Sequence, residues 1–366
     1  MRYPICLLLA VLAFGCSTPA ADSKLKRYLY LGMPDGAQTE GGSGKGILVF
    51  DIDDGHKFVR RIDVDFKEGL RGFCGSVKRH AVYYSTTNRR LGAFDLESEK
   101  ILWEQQYDSG CDRACITLDG SKLYVPSGWW LKATNSGALV VNADDGQLIK
   151  RLPAGAAAHN SLISLDGRFA YLGTDTNLWV FNTQDDSLVL NVKDCGESGV
   201  FPFTVDSRNR FAYVCLGKHV GFDVVDLRTG EVPHRVWAHD AETHTKLIPN
   251  RTHGAGLTPD EKEIWISDQV GKKLFIFDNT QMPPREVAYI PLSQGGHGWI
   301  TFSLDGQFAW CHTPNVFDVK TRKLVATLKD ENGKPVSGSK FIEVHFRDGK
   351  VVAMGDQFGL GRATAR

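Results

Sequence analysis

The sequence has no excess of either charge: 43 basic side chains stand against 43 acidic ones in 366 residues. No long-range field therefore draws in a phosphate backbone, and no nucleic-acid partner is expected. Bilayer-spanning runs are missing too, since the apolar stretch Ile5–Phe14 is too short to cross and no other segment is expected to do so. Cysteine is sparse, with six beyond the first residues: Cys74, Cys111, Cys115, Cys195, Cys215 and Cys311. Their wide spacing is not a dense disulfide framework, which leaves one structural disulfide or buried free thiols. Cys111-Asp-Arg-Ala-Cys115 is neither a redox C-x-x-C nor a haem C-x-x-C-H, so no haem is expected. A G-x-S-x-G nucleophile elbow is absent. The Gly-rich stretch Gly41–Gly46 lacks the strand–loop–helix context of a phosphate cradle; it reads as a loop, and no nucleotide is expected.

What the sequence does contain begins with "MRYPICLLLAVLAFGCSTPAADSK", one arginine, an apolar core and then small and polar residues. This reads as an export signal over residues 1–20. "LAFGC" (12–16) resembles a bacterial lipobox, which would make Cys16 a lipidated N-terminus and the only membrane attachment. Either way the expected location is the periplasm or cell envelope.

The rest of the chain repeats itself. The cycle "GAAAHNSLISLDGRFAYLGTDTNLWVFNTQDDSLVLNVKD" (155–194) breaks into four short β-rich runs separated by turn residues, too short for helices. The second run recurs as "AVYYS", "KLYVP", "FAYLG", "FAYVC", "EIWIS" and "FAWCH", and the third as "LGAFDL", "ALVVNA", "LWVFNT", "FDVVDL", "LFIFDN" and "NVFDVK". A turn aspartate recurs at Asp119, Asp166, Asp206, Asp260, Asp305 and Asp348. A period of roughly 40–50 residues with four strands per unit predicts an all-β seven-bladed β-propeller over residues 27–360. First strands begin near Phe73, Asp112, Asn160, Val200, Gly254, Gly298 and Phe341, with the first strand at 341 completed by three strands from the N-terminus. N- and C-terminal strands then share a blade, and the ring has no open edge there. An eighth blade is the alternative if "KVVAMGD" (350–356) begins another unit.

"THGAGLTPDEKEIWISDQVGKKLFIFD" (252–278) resembles the YVTN-type repeat of exported bacterial propellers, and the resemblance extends over nearly all of residues 27–350. It departs where "SVKRHAVYYS" (76–85) has no Asp-Gly and where Glu261 replaces the usual glycine. The resemblance implies a seven-bladed exported ring. It implies little chemistry, because this fold hosts lyases, lactonases and pure binding modules.

Function is expected at the mouth of the channel, where the loops entering each first strand and those joining the second and third strands emerge. His159, His253 and His297 stand seven, seven and eight residues before their turn aspartates, in equivalent places of three blades. Three imidazoles there could hold a divalent metal such as Zn, Mn or Ca. Glu343 and His345, on the closing blade, could complete the shell or act as acid and base. Arg71 and Arg113 at the same mouth, and Trp129-Trp130 in a Ser- and Gly-flanked loop, are candidate ligand contacts. The structural alternative for each histidine is a hydrogen bond to a neighbouring strand, beside a glycine that permits close backbone approach. The expected function is binding of a small polar or carbohydrate-like molecule, or a protein partner, by a monomer. The alternative is a metal-dependent lyase or hydrolase using the histidine cluster.

Overall fold

The computed structural model describes residues 1, 24–34, 43–66, 69–128, 137–175, 177–197, 199, 202–239, 251–296, 298–357 and 359. Seven antiparallel sheets form a ring. Six contain four strands each in chain order, and the seventh joins the strands Lys26–Met33, Gly46–Asp51 and Lys57–Ile62 to Phe341–Arg347 and Lys350–Asp356 from the other end of the chain. We number this closing sheet blade 1 and the others blades 2 to 7. The chain is thus a seven-bladed propeller closed by its own termini.

Seven separate hydrophobic cores hold the ring, each shared by two neighbouring blades. The second strand of every blade sends at least one aromatic into such a core: Tyr30, Tyr83 and Tyr84, Tyr124, Tyr171, Tyr213, Trp265 and Trp310 are all buried. This recurring ring explains the sequence repeat, since a flat side chain spans the gap between two packed sheets.

The hairpins between first and second strands repeat a local device. Thr117, Ser164, Thr258 and Ser303 each donate a hydroxyl to the aspartate two residues on, at 2.6, 2.7, 2.8 and 2.6 Å. The same oxygens accept from the N–H five residues on, in Lys122, Phe169, Glu263 and Phe308. The left-handed position after the aspartate is Gly120, Gly167 or Gly306 in three blades and Glu261 in another. On the outer side, the pairing of third and fourth strands slips by a bulge in all seven sheets. A bulge twists an edge strand away from flat pairing with another molecule.

The closing blade differs from the reading in which the strand at 341 is innermost. Lys350–Asp356 pairs with Phe341–Arg347 on the channel side and supplies a fifth strand. It begins no eighth blade, and Asp348 turns the chain inward to this strand instead of outward. The six cysteines named above are all buried and free.

Candidate ligand-binding site at the channel mouth

Two innermost strands bulge where they enter the channel. Leu70–Ser76 slips register between Leu70 and Gly72, which sets Arg71 apart, and Thr252–Leu257 slips between Thr252 and Ala255, at His253 and Gly254. Bulges of this kind re-aim a side chain relative to its strand. The adjacent glycines have a steric reason. A Cβ on residue 72 would lie 2.9 Å from the Asp112 carbonyl oxygen and 3.0 Å from the Arg113 Cα. One on residue 254 would overlap the Gly298 carbonyl oxygen and approach Ser267 Oγ to 2.6 Å. Glycine beside histidine therefore serves close packing of neighbouring blades. The histidine itself goes elsewhere.

Arg71, Asp112, Arg113, His159, His253 and Trp299, drawn from blades 2, 3, 4, 6 and 7, meet in one buried cluster. The Asp112 carboxylate, 0% exposed, lies at its centre. Arg113 Nη1 reaches its Oδ1 at 3.1 Å, Arg71 Nε lies 3.4 Å from the same oxygen, and His159 Nδ1 meets Oδ2 at 2.8 Å. His159 Nε2 faces His253 Nε2 and Arg113 Nη1, each at 3.4 Å. The Arg113 guanidinium lies over the Trp299 ring at 4.2 Å, and His253 meets that ring edge-on at 5.6 Å. His159 and His253 come from non-adjacent blades, so their contact shows how far the ring narrows at this end.

Backbone bonds lock the frame. Arg113 N–H donates to the His159 carbonyl, Ser161 N–H returns a bond to the Arg113 carbonyl, and the Ser85 hydroxyl donates to the Asp112 carbonyl at 2.6 Å. Burial alone would raise the Asp112 carboxyl, yet Arg71, His159 and Arg113 hold it well below the ordinary range. Burial pulls His159 down to about 4, against the attraction of Asp112 and with help from Arg113. His159 is then neutral near pH 7. With Nδ1–H donated to Asp112, Nε2 carries the lone pair, turned toward His253 and Arg113.

The structure thus brings together four of the residues singled out in the sequence: Arg71, Arg113, His159 and His253. His297, Trp129 and Trp130 lie outside the described residues. Among the described residues no group of three or more His, Cys, Asp or Glu side chains is arranged to hold a metal ion. Glu343 and His345 do not join the cluster. They sit on Phe341–Arg347, one strand out from the channel, where Glu343 accepts from Leu304 N–H at 2.7 Å and from His345 Nε2 at 2.6 Å. That carboxylate ties blade 1 to blade 7. Glu197 is also occupied in its own loop, accepting from the Lys218 and His219 N–H groups and from His219 Nδ1.

Trp299 and the pivotal place of Asp112 were missed by an argument built on histidine spacing. The signals were present in "GGHGW" (295–299), where a tryptophan follows the repeated His-Gly, and in Asp112-Arg113, adjacent opposite charges at an innermost-strand entry.

Neither known protein families nor curated proteins give a match to this chain. Among solved structures, a chain of Kuenenia stuttgartiensis hydrazine synthase is similar, at 14% identity with a TM-score of 0.45, covering 70% of this chain and 94% of that one. The fold assignment rests on the strand pairing described above.

Proposed function

We propose that this chain is an exported ring of YVTN-type repeats that binds a small polar ligand carrying an anionic group at the channel mouth. The observation that supports this reading is the cluster itself: two buried guanidiniums and a histidine pair gathered from four blades around a single carboxylate. Buried ion clusters add little to stability compared with apolar packing, so a cluster assembled at this cost is a natural place for recognition. Arg113 is held in place between Asp112 and Trp299, and a guanidinium is the fork that pairs with a carboxylate or phosphate. The test is calorimetric titration with small carboxylates, phosphates and neutral sugars, on the wild type and on Arg113→Met. The reading expects one anionic class to bind saturably and to lose at least about tenfold in affinity in the variant. Equal binding to both proteins would place the ligand elsewhere and overturn it.

A specific distance favours a second reading. Two donors about 2.0–2.1 Å from a tetrahedral metal lie about 3.4 Å apart, and His159 Nε2 and His253 Nε2 are 3.4 Å apart. Asp112 on His159 Nδ1 supplies the outer carboxylate that orients metal-bound imidazoles. The Arg113 guanidinium, equally close to His159 Nε2, opposes a cation. Elemental analysis after Zn²⁺ and Mn²⁺ supplementation, beside His159→Ala/His253→Ala, decides the matter. Near-stoichiometric metal lost in the variant would establish the metal centre and justify a screen for lyase and hydrolase activity.

A further inference from the structure

On the face opposite the mouth, blades 1 and 2 diverge around a cavity of about 470 Å³. That is within the range of pockets that take small molecules, roughly 300–1,000 Å³. Its aromatic side is built by Tyr28, Tyr30 and Phe346, with Phe346 6.1 Å from Tyr28 and 6.4 Å from Tyr30, centre to centre. Tyr28 and Phe346 remain partly exposed to the cavity, whereas Tyr30 is buried beneath them.

The charges at the rim divide by commitment. Glu99 is paired with Arg60, and Glu97 with Lys350 at 2.6 Å and His80 at 2.7 Å. Lys24 and Lys26 line the same cavity, are exposed, and have no ion-pair partner among the described residues. Asp348, also exposed, closes the far side. An aromatic wall, two uncommitted ammonium groups and one acceptor make a consistent set. The wall suits the flat face of a ring, the lysines a carboxylate, and Asp348 a ring hydroxyl.

We propose that this cavity is a second binding site, independent of the mouth, for a small hydroxylated ring bearing a carboxylate, of the sugar-acid class. The ring lies against Tyr28 and Phe346, and the carboxylate is held by Lys24 and Lys26.

The test is saturation-transfer NMR and calorimetry with three probes: D-glucuronate, D-glucose, which lacks the carboxylate, and benzoate, which lacks the hydroxyls. D-glucuronate is expected to bind about tenfold more tightly than either. Tyr28→Ala and Lys26→Glu should each weaken it at least about fivefold, and Arg113→Met at the mouth should leave it unchanged. Lys26 is exposed, so its variant remains informative if Tyr28→Ala folds poorly. No binding of D-glucuronate, equal binding of D-glucose or benzoate, or indifference to Lys26→Glu would overturn the site. Loss of binding only in Arg113→Met would overturn it as well, by moving the sugar acid to the mouth.

Discussion

The two faces of the ring use aspartate in opposite ways. On the hairpin face Asp119, Asp166, Asp260 and Asp305 each accept from a hydroxyl two residues away, a turn bond to which Asp166 adds Asn209 and Asp305 adds Arg27 from neighbouring blades. At the mouth Asp112 takes His159 and Arg71 from 47 and 41 residues away. One face repeats the same local turn bond in four blades, and the other holds a buried non-local cluster that occurs once among the described residues. The first specifies the fold; the second is where a function can be placed without disturbing the repeat.

The largest effect expected from this contrast is at Asp112. Removing one member of a buried, paired charge set leaves the others uncompensated and costs about 3–5 kcal/mol, so Asp112→Ala should shift the urea midpoint strongly. Asp119→Ala, in an exposed turn where its side-chain bonds come only from Thr117 and Ser121, should cost about 1 kcal/mol. Equal effects at the two sites would erase the distinction drawn here.

Glycines sharpen the same comparison. Gly254 is needed for space and Gly306, at φ 72°, for backbone conformation. Gly254→Ala forces two blades apart at a carbonyl contact and should cost about 3 kcal/mol. Gly306→Ala, with its Cβ 3.6 Å from the nearest atom, meets only the left-handed penalty of about 1 kcal/mol. Thermal and urea unfolding of the pair would measure the difference directly.

These two faces also account for what was legible in the sequence. The blade count and the turn aspartates could be read because each depends on residues within one cycle of the repeat, and the shared closing blade because the incomplete sets of strands at the two ends complement each other. The fifth strand of blade 1 could not, because "KVVAMGD" carries the same alternation whether it opens a new blade or turns back into the channel. His159 and His253 were legible as mouth residues from their register, but their meeting depends on the radius of the ring. Glu343 was misplaced for a related reason: its strand, expected to be innermost in the closing blade, lies second, behind Lys350–Asp356.

The pH response should appear on both faces. His56, under Phe308 and Trp310 on the hairpin side, is held down to about 4 by burial and by Arg27, against a weaker opposing pull from Asp53. His159 is likewise near 4 at the mouth. A base with a folded pKa below its unfolded value of about 6.5 is protonated preferentially in the unfolded chain between those values. Stability is therefore fully present above about pH 6.5 and falls as pH drops toward 4. Each histidine should remove about 1.5 kcal/mol between pH 6.5 and pH 5. His56→Asn, chosen because asparagine tolerates the positive φ of 60° at this position, should flatten the urea midpoint against pH by one histidine's share. An unchanged slope would mean that folding leaves the proton affinity of His56 unaltered.

The smallest expected effect concerns Glu261, the one described first hairpin where a carboxylate residue occupies the left-handed position held by glycine in three other blades. Its φ of 58° carries a penalty of about 1 kcal/mol that glycine would relieve. Against this, its carboxylate leaves its own turn and accepts from Ser207 N–H at 2.8 Å and Ser207 hydroxyl at 3.0 Å, in the neighbouring blade. Bonds to a charged acceptor contribute about 1.5–3 kcal/mol when buried and less in a partly exposed site such as this. Glu261→Gly should therefore destabilise by less than about 1 kcal/mol. The sign can be made to turn on the bond itself: in a Ser207→Ala background the hydroxyl's share is already gone, so the same substitution should become neutral or stabilising. If Glu261→Gly costs as much with Ser207 as without it, the hydroxyl's part of the link contributes nothing, and the Ser207 N–H bond, which Ser207→Ala retains, carries it.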